Sequence, residues 1–166
     1  LRIDVTIPEG LDPYVASTVA ALELGRQRVK VALKDVTPAQ LEQVPPGLTN
    51  SIATIVVHLC GTEVSFSYRL AGGSTPDEVK AEYLMNLPQS PLPAALGETV
   101  ESLTAKLDKS RAMLLQTLAR LTTADMNREM ALGPERSVTL RWAMALLPNH
   151  QTQHLGHIQM VKKLIR

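Results

Sequence analysis

Three of the four histidines of this 166-residue chain fall in one short stretch, Asn149 to Ile158, and the fourth, His58, stands far upstream. On an α-helix His150 and His154 stack one turn apart on a single face, roughly 6 Å along the axis, where two imidazoles can reach one transition metal. His157 shares nearly that face, but its rise of about 10 Å from His150 keeps the three from meeting at one ion. A third ligand must come from elsewhere. Neutral imidazole suits zinc, nickel, iron or copper, and three such ligands plus water describe an open site better than a closed structural one. The same spacing also suits polar residues at the border of a packed helix.

Other chemistries fit less well. A zincin needs a glutamate after the first histidine as general base, and Gln151 cannot accept a proton at neutral pH. A di-iron carboxylate bundle needs paired Glu-x-x-His motifs, which the sequence lacks. Cys60, the single cysteine, reads as a buried small side chain rather than a nucleophile. Arg26 and Arg69 are weak candidates for steadying an anionic substrate and otherwise read as solvated; Arg26 interrupts an apolar stripe, so it either snorkels from the core edge or faces a polar cavity. Any chemistry must therefore come from metal-bound water or a metal-bound substrate.

The elements that would position these residues are helical. Asp12 caps and Pro13 opens a first helix whose stripe is Val15, Val19, Leu22, Val29, Leu33 and Val36. Thr37-Pro38-Ala39-Gln40 predicts a capped single turn, stopped by Pro45-Pro46-Gly47. Asn50 or Ser51 caps a second long helix with Ile52, Ile55, Val56, Leu59 and Leu70. Its Val57 and Val64 point away from the main stripe, so the helix is either central in a bundle or at a subunit interface. A proline-rich connection follows, with one short helix around Asp77 to Leu84 and a length that suits edging a pocket. From Ala94 the run Leu96, Val100, Leu103, Leu107, Leu114, Leu118 and Leu121 predicts a third helix. Thr122 to Arg136 breaks the pattern, with an extended piece at Asn127 to Leu132 and a turn at Gly133-Pro134. The last helix spans about Thr139 to Ile165, and Pro148 should kink it just before His150 unless the helix begins anew there.

Four long amphipathic stretches without convincing strands make this an all-α protein, a four-helix bundle in a single domain over residues 1–166. A hydrophobic content of 45% supports a sizeable core, and a formal charge of +1, scattered along the chain, gives no reason to propose nucleic acid or an anionic membrane as partner. No apolar run is long enough to span a bilayer, and the N-terminus lacks a basic segment followed by a signal core, which leads to the expectation of a cytoplasmic protein. Helices two and four can be neighbours in such a bundle. His58 lies beside its own stripe and His150 and His154 beside theirs, so flank can meet flank at one groove.

Two segments carry a family likeness: Leu48 through His58 to Gly61, and Val138-Thr-Leu-Arg-Trp142 through Asn149-His150-Gln-Thr-Gln-His154-Leu-Gly-His157-Ile158. With the helix count, the irregular second connection and the chain length, they make the chain similar to the DinB-like superfamily of metal-binding four-helix bundles. The resemblance implies a divalent metal, nickel or zinc, held by His58, His150 and His154. It also implies a thiol-dependent transferase or isomerase using bacillithiol, mycothiol or glutathione, and a homodimer that would cover Val57 and Val64. The family commonly has glutamine where this chain has His157, a departure that leaves the triad intact and adds an acid or base, or a competing metal ligand, near the site. The reading from another class is a helical metal-binding protein without catalysis, favoured by the lack of a Glu or Asp base next to the histidines.

Overall fold

The computed structural model describes residues 5–87, 91–133 and 135–165. Asp12 caps α1 (Pro13–Leu33) through a bond from the Tyr14 N–H, and it also accepts from the backbone and hydroxyl of Thr123, at 2.9 and 2.8 Å, which fastens the start of α1 to a 3-10 turn at Thr123–Asn127. The Thr37–Gln40 capping box forms as the sequence predicts and opens α2 (Pro38–Glu42), whose Leu41 is fully buried. Ser51, not Asn50, caps α3 (Ile52–Leu70), its Oγ accepting from the Thr54 N–H at 3.2 Å.

Two expectations for the middle of the chain change. The third long helix, α5 (Val100–Leu118), starts later than Ala94 because a capping box between Thr99 and Ser102 sets its first turn. Leu96 therefore precedes the helix and is 71% exposed. The short helix in the connection, α4 (Asp77–Glu82), forms where expected. Tyr83 and Met85 just beyond it lie over Gly61 of α3, where a Cβ would meet Met85 Cγ at 3.2 Å and Tyr83 Cβ at 3.5 Å. That face of α3 also carries Val57 and Val64, one turn either side, and both are buried within the chain. The second apolar side of α3 is thus covered by the protein's own connection, and no subunit interface is needed to explain it.

After the 3-10 turn, β1 (Glu129–Gly133) pairs antiparallel with β2 (Arg136–Thr139), so the extended piece expected near Asn127–Leu132 is one arm of a hairpin. Pro134, part of the expected turn, lies outside the described residues. Thr139 caps α6 (Leu140–Leu164), which runs through Pro148 without beginning anew. Proline removes one backbone donor there, and the surrounding turns stay helical.

The long helices form a four-cornered bundle. α1 packs on α6 and α5, and α3 packs on α5 and α6, so α1 faces α3 across one diagonal and α5 faces α6 across the other. The apolar core divides in two. One half gathers Val29, Leu33, Val56, Leu107 and Ile158 around α2 and the first half of α3; the other gathers Val19, Leu22, Leu114, Leu118 and Met144 toward the hairpin. Between them lies a layer of buried polar side chains: Arg26, Glu63, Ser110, Arg111 and Gln151.

Candidate metal centre

His58 sits on α3 just before this polar layer, and His150 immediately precedes Gln151 on α6. The partly exposed residues of α3 are His58, Thr62, Ser65, Tyr68 and Arg69, which places the open side of the α3–α6 groove on the histidine flank. Across it, His58 Nε2 lies 3.1 Å from His150 Nε2, and His154 Nε2 lies 3.1 Å from the same atom. The donor atoms of the three side chains all fall within 4.8 Å of one another. The expected meeting of the two flanks takes place.

Three ring nitrogens aimed at one point repel each other when their lone pairs converge, unless a proton or a cation stands between them. The surroundings disfavour the proton. Burial lowers the pKa of His58; burial, and then the neighbouring His58, push His150 down to about 4; burial, then His150 and His58, push His154 down to about 3. At neutral pH the imidazoles are uncharged and keep the lone pairs that a metal requires. The donor set is therefore a His-based site capable of metal coordination, with groove on one side and packed helices on the other.

The sequence profile of the DinB superfamily matches residues 21–158. The chain belongs to the DinB superfamily. The matched span includes all four histidines. In fold this DinB-superfamily chain is similar to the crystal structure of a conserved protein from Enterococcus faecalis, with a TM-score of 0.72 and 15% sequence identity over 94% of this chain and 98% of that one. No curated protein matches it in sequence.

The fourth histidine of this DinB-superfamily chain stays outside the cluster, as its helical rise requires. His157 Nδ1 lies 3.4 Å from His154 Nδ1, against the nitrogen of His154 that faces away from the triad. Arg69 does not reach the site. It is about 16 Å along α3 from His58, and its guanidinium donates to Ser65 Oγ and to the Ala131 carbonyl, tying α3 to the hairpin.

Arg26 is neither snorkelling nor solvated. It is 4% exposed and donates through Nη2 to Glu63 Oε2 at 2.6 Å. Arg111 donates to Glu63 Oε1 through Nη2 at 2.5 Å and Nε at 3.2 Å, to Glu23 through Nη1, and to Gln151 Oε1 at 3.3 Å. Ser110 donates to Glu63 Oε2 at 2.8 Å. Burial lowers the Arg26 pKa while Glu63 acts in the opposite sense, and Glu63 also favours the charged form of His150. Sequence reasoning missed Glu63 and Arg111 as a unit. The available signal was a charged residue at an apolar-stripe position, four residues after Leu59 and Leu107 respectively. Gln151, unfit as a base, serves as a buried acceptor. Cys60 is buried as expected; burial and then Glu63 raise its thiol to about 12, which keeps it protonated.

Proposed function

We propose that His58, His150 and His154 hold one divalent metal ion, nickel or zinc, and that the protein uses it to activate a low-molecular-weight thiol or water for attack on a small electrophile. The observation that carries this reading is the convergence of three neutral imidazole nitrogens, from two helices, on the open side of a groove. A divalent cation there would supply Lewis acidity, lowering the pKa of a thiol or water so that it is nucleophilic at neutral pH. The chain's own side chains do the rest. His58 and the pair on α6 orient the donor set. His157, whose Nδ1 lies 3.4 Å from His154 Nδ1, would accept a hydrogen bond from that N–H and so fix the tautomer that leaves Nε2 free for the ion. The protonated, buried Cys60 leaves the nucleophile to come from a bound small molecule, for which bacillithiol, mycothiol and glutathione are the candidate thiols.

The second reading, metal binding without catalysis, has one observation in its favour. Among the described residues no carboxylate joins the histidine group, and Glu63 is engaged by Arg26, Arg111 and Ser110. Metal-loaded protein incubated with each thiol and a halo-nitroaromatic electrophile separates the two. The catalytic reading requires an adduct above the uncatalysed rate with at least one thiol, lost in His154→Ala. Full metal occupancy with no adduct in any pairing favours the non-catalytic protein. A homodimer remains part of the proposal, tested by light scattering, with Val57 and Val64 no longer an argument for it.

A further inference from the structure

From His58 toward the end of α3, the open face of the helix carries Thr62, Ser65 and Arg69, each partly exposed and about one turn beyond the last. A polar stripe thus leads away from the triad. α6 lies antiparallel to it, since Ile55 shares a pocket with Val161 at one end of the pair and Leu70 shares another with Leu140 at the other. The facing wall is therefore Leu146 and Trp142, one and two turns before His150, both apolar and partly buried.

Arg69 stands at the far end of this groove. Its Nε donates to Ser65 Oγ at 3.1 Å and its Nη1 to the Ala131 carbonyl at 2.9 Å. Both acceptors are neutral. Among the described residues no carboxylate pairs with Arg69, and its Nη2 has no protein partner and is open to solvent. A guanidinium held still by neutral groups, with a donor left over, is preorganised for an anion. Arg128 adds a second cation. It lines, with Arg69, a pocket of about 190 Å³ formed by the end of α3, the Gly72-Gly73 turn, residues 128–131 and Leu140. The one carboxylate in that lining, Glu129, accepts from Ser137 Oγ at 2.9 Å, and Arg128 reaches Asp125 only at 4.0 Å. Because Arg69 leans back to Ser65, its guanidinium lies roughly 10 Å along the axis from His58.

We propose that Arg69, with Arg128 beside it, anchors a carboxylate of the thiol whose sulfur goes to the three histidines. The inference rests on the metal reading above and adds the length and charge of the ligand. Sulfur and carboxylate must stand about 10 Å apart, the reach of about three extended residues. The chain between them is polar along α3 and apolar toward Leu146 and Trp142. Of the candidate thiols, glutathione and bacillithiol carry carboxylates remote from the sulfur, and mycothiol carries none.

Two measurements test the anchor, one with metal and one without. In cobalt(II)-loaded protein the sulfur-to-cobalt absorption band gives thiol affinities. 8-Mercaptooctanoate, long enough to span the groove, is expected to bind about tenfold tighter than 8-mercapto-1-octanol, whereas 3-mercaptopropionate, too short, should show no such gain over 3-mercapto-1-propanol. Arg69→Met should bring the long acid down to the level of the long alcohol, and Arg69→Lys should keep part of the gain. Equal binding of long acid and long alcohol in the native protein, or a gain that survives in Arg69→Met, overturns the proposal. In metal-free protein, hexanoate is expected to shift the nitrogen-15 signals of Arg69 Nε–H and the Ala131 amide saturably, and 1-hexanol to leave them fixed. No selective shift overturns the anchor, whatever the metal does. Failure to bind cobalt refutes the metal reading alone and leaves the hexanoate titration to decide.

Discussion

Arg26 Nη2 and Glu63 Oε2 lie 2.6 Å apart although their helices occupy opposite corners of the bundle. Arg111 reaches Gln151 across the other diagonal, at 3.3 Å, and both arginines converge on the one Glu63 carboxylate. Long side chains are what can span these diagonals, and they do so at the level where the apolar core is divided. Gln151 is held in this layer next to His150, so the layer sets the rotation of α6 that presents His150 to His58.

Removing Glu63 leaves two buried guanidinium groups without their shared partner. Glu63→Ala should therefore cost about 3–5 kcal/mol, read as a shift of the urea midpoint at pH 7. In a double-mutant cycle with Arg26→Met the losses should be far from additive. Additive losses would show that the pair is not coupled in the way its geometry indicates.

The histidines should separate into two kinds. His58→Ala, His150→Ala and His154→Ala should each lose tightly held metal after dialysis, whereas His157→Ala should keep the stoichiometry and weaken affinity about 10- to 100-fold, as expected of a residue that supports a ligand. Metal at a hundredfold excess over its dissociation constant should stabilise the native protein by about 2.7 kcal/mol. Elemental analysis and thermal melts give both numbers. Equal metal content in wild-type and His154→Ala protein would end the three-histidine assignment.

Acid should destabilise the metal-free protein through the same residues. His150 and His154 titrate at about 4 and about 3 in the fold but near 6.5 in the unfolded chain. The unfolded state therefore binds more protons between these values. Stability is unaffected by them above about pH 6.5, falls as pH drops below it, and stops falling on their account once the folded values are passed. Urea midpoints taken from pH 8 to pH 4 should show this slope, and the double variant His150→Ala, His154→Ala should be flatter. An identical slope in that variant would assign the pH dependence to other groups.

Cys60 should be silent toward thiol reagents in the native state, because its thiol is buried and raised to about 12. A chromogenic disulfide should titrate one thiol in urea and react with folded protein only as fast as the protein opens. Rapid stoichiometric labelling of native protein would contradict the burial.

Gly25 allows Gln151 to lie in the polar layer. A Cβ there would meet Gln151 Cδ at 3.0 Å, so Gly25→Ala should destabilise by about 1–3 kcal/mol through overpacking. Shortening the neighbour in Gly25→Ala, Gln151→Ala should recover part of that loss in the same unfolding measurement.

The sequence by itself determined what is local. Caps at Asp12 and Thr37, apolar stripes on four long segments, and the one-turn step from His150 to His154 are set by backbone geometry that each segment carries within itself. The two motif segments were enough to name the superfamily. What only the tertiary structure decided depends on which helices share a corner and which face each other. Periodicity marked Arg26 as an interruption, but only the diagonal packing showed it paired with Glu63. Val57 and Val64 leave open from periodicity whether α3 is central in its bundle or at a subunit interface, and the connection after α4, folded over Gly61, decides for the first. His58 and His150 each read as the flank of a stripe, and their 3.1 Å approach follows from how α3 and α6 are rotated against each other, which no pattern within a single helix specifies.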